Sequence, residues 1–156
     1  MFWRQRGSEN AKNTGADNKR SMQRIVASGE PPGLLAYVDG EIAGWCSLEP
    51  REKFARIENS RTFKRVDDRP GVWSLNCFVI AKQHRRLGLM TRLLDAAIDT
   101  ARRRGAKIIE AYPVEPSGAL KSYHGFTGVA STFRRRGFHE VARPRPGQVM
   151  MRLELE

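Results

Sequence analysis

A basic turn between an apolar run and an amphipathic stretch is the part of the chain best suited to chemistry. It reads QHRRLG and places Arg85, Arg86 and Gly88 where a predicted helix begins. The start of a helix presents unpaired N–H groups and a partial positive charge, which bind phosphate oxygens. A glycine there lets a ligand approach the backbone closely. The turn therefore indicates a pyrophosphate site, and the alternative is a glycine that only permits the turn.

The elements on either side of this turn follow from hydrophobic spacing. Val72–Ile80 is dense in β-branched and aromatic residues and predicts a strand. The helix after the turn has one apolar face and ends at Gly105. Ala106–Tyr112 predicts a second strand, which Pro113 ends. The turn is neither a Walker loop nor a GxGxxG fingerprint, so the simplest nucleotide-binding folds are disfavoured.

The remaining elements complete an alternation of helices and hairpins. An Asp-Gly pair between two apolar runs is typical of a hairpin turn. The charged stretch 49–71 predicts a short surface helix, and Val114–Phe126 predicts a loop. The other predicted elements are a helix over Asp17–Ser28, hairpin strands Leu34–Val38 and Ile42–Leu48, a helix over Thr127–Arg136, and strands Phe138–Ala142 and Val149–Leu155.

Composition limits the class of protein. The chain has 156 residues, and its 28 Lys and Arg against 17 Asp and Glu give a formal net charge of +11, which favours an anionic ligand. The length suits one domain, which we place at 17–156, after a polar segment (1–16) expected to be poorly ordered or a partial first strand. No apolar run approaches the roughly 20 residues that cross a bilayer, so we expect a cytoplasmic protein without a membrane partner. The histidines and cysteines lack metal-ligand spacing, so no metal is expected.

The basic turn resembles the acetyl-CoA-binding motif of the GNAT superfamily of N-acetyltransferases. The superfamily pattern Arg/Gln-x-x-Gly-x-Gly/Ala reads here as Arg85-x-x-Gly88-x-Met90, with Met90 at the second small position. TFRRRGF (132–138) is similar to the superfamily's Leu-Tyr-x-x-x-Gly-Phe. The hairpin LLAYVDGEIAGWCSL (34–48) is similar to its second and third strands. The resemblance extends from about Pro31 to the end of the chain.

This resemblance implies the fold and the way in which it binds coenzyme A (CoA). The fold is α/β (α+β): a mixed, mostly antiparallel sheet flanked by helices, with a splayed central strand pair that holds CoA. The pantetheine arm would lie between these strands, and the amides of the basic turn would hold the pyrophosphate. The implied cofactor-binding residues are Phe78, Val79, Ile80, Arg85, Arg86, Leu87, Gly88, Leu89, Met90, Thr91, Ser131 and Phe133.

The resemblance also implies direct transfer of an acetyl group from acetyl-CoA to a primary amine of a small molecule or peptide. We expect Glu110 to be the general base and Tyr123 the general acid, because the superfamily's usual tyrosine position is Phe133 here. The absent tyrosine does not exclude catalysis, since a thiol with a pKa of about 8.5 leaves readily as the thiolate. The alternative bases are Glu49, Glu52 and Glu115, and the alternative acids are Tyr112, Ser131 and water.

Three classes of function stay open at this point. We favour the N-acetyltransferase. Phe133 and the short N-terminal region motivate a non-catalytic acyl-CoA-binding module instead. Charge alone motivates a nucleic-acid-binding domain, which we disfavour because basic and aromatic residues do not interleave on a strand. The uncharged strand Leu34–Val38 could be a free sheet edge, so we also expect a homodimer.

Overall fold

The computed structural model describes residues 1–116 and 126–155, which form one six-stranded sheet with helices on its faces. The strands are β1 (Gly33–Val38), β2 (Glu41–Pro50), β3 (Val72–Ile80), β4 (Ile108–Ala111), β5 (His139–Arg145) and β6 (Gln148–Glu154). The helices are α1 (Gly7–Lys12), α2 (Gly15–Ala27), α3 (Ala55–Glu58), α4 (Leu89–Arg103) and α5 (Ala130–Arg134), with short 3₁₀ turns at Arg51–Lys53 and Lys82–His84.

The sheet order is β1-β2-β3-β4-β6-β5, and every neighbouring pair is antiparallel except β3 and β4. The single parallel pair arises because α4 carries the chain back across the sheet between these two strands. The predicted architecture, a mixed and mostly antiparallel sheet flanked by helices, is confirmed.

Local signals in the sequence explain the elements near the site. Asp39 and Gly40 both have positive φ, of 50° and 81°, as a two-residue hairpin turn between β1 and β2 requires. Helix α4 buries one face against the sheet and ends just before Gly105, whose φ is 79°. The buried residues of that face are Leu89, Leu93, Leu94, Ala97, Ile98 and Ala101.

The N-terminal residues differ from the expected partial strand. They form a turn followed by α1, and the Trp3 ring stacks on Tyr112 with centroids 6.5 Å apart. Phe63 packs on the same tyrosine at 4.9 Å, so the segment lies on the sheet face opposite α4. Aromatic contacts with residues far along the chain place this segment, and its own polar composition did not reveal them.

Two helix starts also differ from their prediction. Helix α2 begins at Gly15 because Thr14, rather than Asp17, is its N-cap: the Thr14 hydroxyl accepts the Asp17 N–H, and the Asp17 carboxylate accepts the Thr14 N–H. Helix α5 begins at Ala130 instead of Thr127, without a side-chain cap. Within residues 1–116 and 126–155, no helix is long and apolar enough to cross a membrane.

Candidate functional site

Strands β3 and β4 separate partway along their length. Their pairing runs from Val72 opposite Ile108 to Leu75 opposite Ala111 and then stops. Beyond that point β3 continues to Ile80 with β2 as its partner strand. The chain after β4 turns away: Val114 donates its N–H to the Gly128 carbonyl at 2.9 Å. A gap in the pairing of β3 and β4 therefore begins after Leu75 and Ala111, which is consistent with the predicted splay.

A β-bulge lies where this gap begins. Ser47 of β2 faces Cys77, but the next residue, Leu48, faces Leu75, so Asn76 is an extra residue in β3. A bulge bends its strand and increases the local twist. The bulge thus supplies a physical reason for the separation of β3 from β4.

The register with β2 determines which backbone groups of β3 face the gap. Ala81 donates its N–H to the Ala43 carbonyl at 2.9 Å. Backbone groups alternate in direction along an antiparallel strand, so those of Val79 face β2 and those of Phe78 and Ile80 face the gap. Of the three strand residues predicted to bind the cofactor, Phe78 and Ile80 therefore have backbone groups directed away from β2, although the Ile80 carbonyl already accepts from Arg85 Nε at 3.3 Å.

The basic turn lies at the open end of the gap and presents a run of free N–H groups. Arg86 and Gly88 both have positive φ, of 65° and 73°. The six consecutive N–H groups from Arg86 to Thr91 have no acceptor among the described residues, and the first bonded one is that of Arg92, to the Gly88 carbonyl. Helix α4 adds its partial positive charge to the same point. The turn can bind a phosphate through its backbone.

The two arginine side chains of the turn are exposed and add positive charge there. Arg85 donates from Nε to the Ile80 carbonyl at 3.3 Å, and neither arginine forms an ion pair within the part of the chain described. By contrast, Arg136 is bonded to Asp95 at 2.9 Å, and Arg104 lies over the Trp73 ring at 4.7 Å. Arg136 and Arg104 thus have contacts within the protein, whereas the side chains of Arg85 and Arg86 are exposed beside the N–H groups of the turn.

Glycine at position 88 leaves the turn open to a ligand. A Cβ placed there would meet no atom of the described residues within 4 Å, so the chain does not crowd the turn at this position. Met90 does not crowd it either, although it replaces the second small residue of the motif. Its Cε lies only 2.6 Å from where a Cβ of Gly128 would be, so its side chain points inward. Leu89 is also buried, whereas Leu87 is exposed and Thr91 is half-buried.

The two predicted cofactor contacts on α5 lie in different surroundings. Ser131 is exposed on the helix surface. Phe133 is fully buried, and its ring packs edge-on against Phe78 at 6.2 Å and Phe138 at 5.2 Å. Phe133 therefore packs on β3 through Phe78 as part of the core and supplies no polar group there.

Glu110 lies in a buried ion network. Its side chain is fully buried: Oε1 accepts from Arg51 Nε at 2.9 Å and from the Tyr112 hydroxyl at 2.7 Å, and Oε2 accepts from Arg152 Nε at 2.9 Å. Burial and the neighbouring carboxylate raise the pKa of Tyr112, whose hydroxyl is also bonded to Ser74. With both oxygens engaged, Glu110 has the surroundings of a structural anion, which argues against its predicted role as general base.

The other candidate acids and bases are also in defined environments. Glu49 is buried and paired with Arg4, and Glu52 is exposed. Hydrogen bonds from Arg134 and Arg143 hold the pKa of Glu115 below its usual value. Tyr123, the predicted acid, lies outside the described residues. Among those described, no group of acidic, histidine or cysteine side chains could hold a metal ion.

Sequence reasoning missed Asn76, the bulge residue at the apex of the gap. It is fully buried, and neither atom of its side-chain amide has a hydrogen-bond partner among the described residues. One signal was available, since Asn76 is a strongly polar residue in the middle of the apolar run VWSLNCFVI.

Comparisons with protein families and solved structures agree on one family of proteins. The family described as "Acetyltransferase (GNAT) family" matches residues 3–126. A search of curated sequences gives no match. The structure is similar to ribosomal-protein-alanine N-acetyltransferase from Brucella melitensis (TM-score 0.58, 19% identity, 92% of this chain and 80% of that one). It is also similar to ribosomal-protein-S18-alanine N-acetyltransferase from Escherichia coli (TM-score 0.53, 16% identity, 86% of this chain and 77% of that one). A third similar structure is N-acetyltransferase from Staphylococcus aureus Mu50 (TM-score 0.58, 13% identity, 92% of this chain and 79% of that one). At these identities the structural similarity concerns the fold.

Proposed function

The chain belongs to the acetyltransferase (GNAT) family, and from this premise we propose that it is a cytoplasmic N-acetyltransferase that moves an acetyl group from acetyl-CoA directly to a primary amine. One observation carries the proposal: the gap between β3 and β4 leads to a turn with two exposed arginines and six consecutive N–H groups that have no acceptor among the described residues. This arrangement suits a ligand with an extended arm and a pyrophosphate at one end.

Acetyl-CoA would supply an activated acyl group: the amine nitrogen bonds to the acetyl carbon, the carbon–sulfur bond breaks, the sulfur leaves with its electron pair as thiolate, and the amine gives up a proton. The chain would bind and orient this cosubstrate. Residues Arg86–Thr91 would donate N–H groups to the pyrophosphate, with Arg85 and Arg86 adding charge. Phe78 and Ile80 would offer strand-like hydrogen bonds to the arm.

The proton released by the amine has no evident buried acceptor among the described residues. Glu110 and Glu49 are both paired with arginines, and Glu115 is held by two. We therefore expect the acceptor to react as the free amine, with water taking the proton. The rate at low amine concentration should then rise with pH up to the pKa of the acceptor itself. Tyr123 remains the predicted acid for the departing sulfur.

The proposed acceptor is a primary amine of a small molecule or a peptide. Two of the structural neighbours are named for acetylating the alanine of a ribosomal protein, so peptides with an N-terminal alanine belong in the test beside small amines. The experiment is a thermal-shift screen of amines in saturating CoA, followed by measurement of thiol release from acetyl-CoA. An amine that stabilises the CoA complex and accelerates thiol release supports the proposal. Absence of CoA binding refutes it.

A second candidate is a non-catalytic acyl-CoA-binding module. The fully buried Phe133 and the fully bonded Glu110 favour it, because neither supplies an acid or base to the gap. The two candidates differ in turnover: a module binds acetyl-CoA but releases no thiol with any amine of the panel. A salt titration with generic DNA tests the nucleic-acid alternative, which predicts tighter binding to DNA than to CoA.

We also propose that two copies associate through β1. This strand is at the edge of the sheet, and its Leu35 and Tyr37 side chains are 50% and 58% exposed. An uncharged edge strand invites pairing with another chain.

A further inference from the structure

The sheet face opposite α4 carries an apolar patch where β1, β2 and β3 lie side by side. A Cβ at Gly44 would lie 3.3 Å from Leu93 of α4, so Gly44 faces that helix. Leu34 and Ala36 of β1 pack against the same core cluster. Side chains alternate along a strand, so the residues next to these face the other way. We call them the β-face patch, which consists of Leu35, Tyr37, Ile42, Trp45 and Val79.

Most of the β-face patch is open to solvent. Leu35, Tyr37, Ile42 and Val79 are 50%, 58%, 59% and 44% exposed. The strand register joins them into one surface: Leu35 lies opposite Trp45, which lies opposite Val79. Tyr37 lies opposite Ile42 in the next row. A contiguous exposed apolar patch is typical of an interaction surface.

Helix α2 is a second surface without a partner. None of its 13 residues is buried, and Val26 is 58% exposed. Lys19, Met22 and Val26 lie on one side of the helix, because residues three, four and seven apart share a face. A helix of this length is only marginally stable in water without packing. The chain therefore has both an exposed apolar sheet face and an amphipathic helix that buries no residue.

Charges at the ends of these two surfaces are complementary. Asp39 and Glu41 lie at the tip of the β1–β2 hairpin, at one end of the patch, and both are exposed. Neither forms an ion pair within residues 1–116 and 126–155, and the same is true of the exposed Lys19. The acid of α2 itself, Asp17, is paired with Arg20. A lysine at one end of the helix face thus matches carboxylates at one end of the sheet face.

The dimensions of the two surfaces also agree. The helix rises about 10 Å from Lys19 to Val26. The strand rises about 13 Å from Glu41 to Trp45. A helix that lies along β2 with its lysine at the hairpin tip therefore brings its apolar side chains over the centre of the patch.

The connection between α2 and β1 favours a helix from another copy. Within one chain α2 does not cover the patch, since both remain exposed. The connection, residues 28–32, is short, and the Pro32 carbonyl accepts a hydrogen bond from Arg4 at 3.1 Å. Pro31 restricts the backbone further. Short, constrained connections promote exchange of an element between two copies. The patch is also continuous with β1, the edge strand already proposed as the contact between copies.

We propose that α2 of a second copy covers the β-face patch, in a two-fold dimer that exchanges its α2 helices. Met22 and Val26 of each copy pack on the patch of the other, and Lys19 of each copy pairs with Glu41 of the other. The two-fold axis forms both contacts at once, because each copy supplies one helix and one patch. This inference extends the association proposed for β1 and does not depend on acetyl transfer.

Cysteine cross-linking of the full chain tests the exchange. Val26→Cys and Ile42→Cys are at exposed sites, and Cys77→Ser removes the half-buried native thiol. With a short thiol cross-linker, the variant with both new cysteines should form a covalent dimer in much higher yield than either cysteine alone. The matched control combines Ile42→Cys with Arg24→Cys, an exposed site on the opposite side of α2, and should give no such increase. A cross-link within one chain, or no increase in covalent dimer, overturns the inference.

Sedimentation of uncross-linked protein separates this inference from the other proposals. Val26→Asn should weaken the dimer roughly tenfold or more, the scale of one lost apolar side chain, and leave CoA affinity unchanged. Lys19→Glu and Glu41→Lys should each weaken the dimer, and their combination should restore it. A monomeric wild type at high micromolar concentration refutes the helix exchange and the β1 association together. A dimer that Val26→Asn leaves as strong as the wild type refutes the helix exchange alone, and CoA binding tests the proposed acetyltransferase independently.

Discussion

Replacement of Gly88 by aspartate, compared with asparagine at the same position, tests the phosphate-binding turn directly. Gly88 has a φ of 73°, a conformation that asparagine and aspartate tolerate better than other residues with side chains. A Cβ there meets no atom within 4 Å, so neither variant clashes with the protein. The two side chains share one shape and differ by one negative charge. Their comparison therefore isolates electrostatics from strain.

The expected magnitude follows from Coulomb's law. A carboxylate about 5 Å from one phosphate charge is repelled by about 3 kcal/mol at an effective dielectric constant of 20, and by about 0.8 kcal/mol in bulk water. The turn is exposed, so the effect lies between these limits. At 1.4 kcal/mol per tenfold change, CoA should bind to Gly88→Asp between about fourfold and about 200-fold more weakly than to Gly88→Asn.

Isothermal titration at low and high salt is the assay. The difference between the two variants should shrink in 1 M salt, where the screening length is about 3 Å. Both variants should stay folded, because αL strain costs each the same, roughly 1–2 kcal/mol. Equal CoA affinities for folded Gly88→Asp and Gly88→Asn at low salt would refute the assignment of the pyrophosphate to this turn.

Three further predictions concern the ion network, the pH dependence and the assembly. Glu110→Gln should lower the free energy of unfolding, measured with urea, by less than the roughly 3–5 kcal/mol of a fully broken buried pair, because Arg51 and Arg152 lose their shared anion but keep Glu58 and Asp67 as partners. Glu115→Gln should lower the melting temperature at neutral pH. Since Arg134 and Arg143 depress the pKa of Glu115, its contribution is present above its unfolded pKa of about 4.3 and is lost as the pH falls through its lower folded pKa. The wild type should be a dimer in light scattering at high micromolar concentration, and Leu35→Lys, at a half-exposed site, should be a monomer.

Each of these has an outcome that would contradict it. A Glu110→Gln protein as stable as the wild type but with slower thiol release would favour Glu110 as the base. A melting-temperature difference for Glu115→Gln that does not shrink as the pH is lowered below the unfolded pKa of about 4.3 would exclude its ion pairs as the cause. A monomeric wild type at high micromolar concentration would end the dimer proposal, and Ser131→Lys, an exposed change on α5, is the charge-matched control for Leu35→Lys.

Local physical signals made much of the fold and the geometry of the basic turn predictable. The Asp39-Gly40 hairpin and the start of α4 at Gly88 both depend on residues that tolerate positive φ, and such residues are visible in the sequence. The amphipathic face of α4 depends on spacing within a single helix. These features depend on residues that are close together in the chain, so they could be predicted from the sequence alone.

The surroundings of individual side chains were decided only by tertiary structure. Glu110 looked like a base beside a cleft, but its partners Arg51 and Arg152 come from 59 residues earlier and 42 residues later in the chain. The position of Asn76 in a bulge depends on a one-residue offset between β2 and β3. Trp3 joins the aromatic cluster around Tyr112 from the other end of the sequence. Whether a carboxylate is free, paired or buried can be determined only from its spatial neighbours. Desolvation and charge pairing act through space, so they cannot be predicted from the local order of residues.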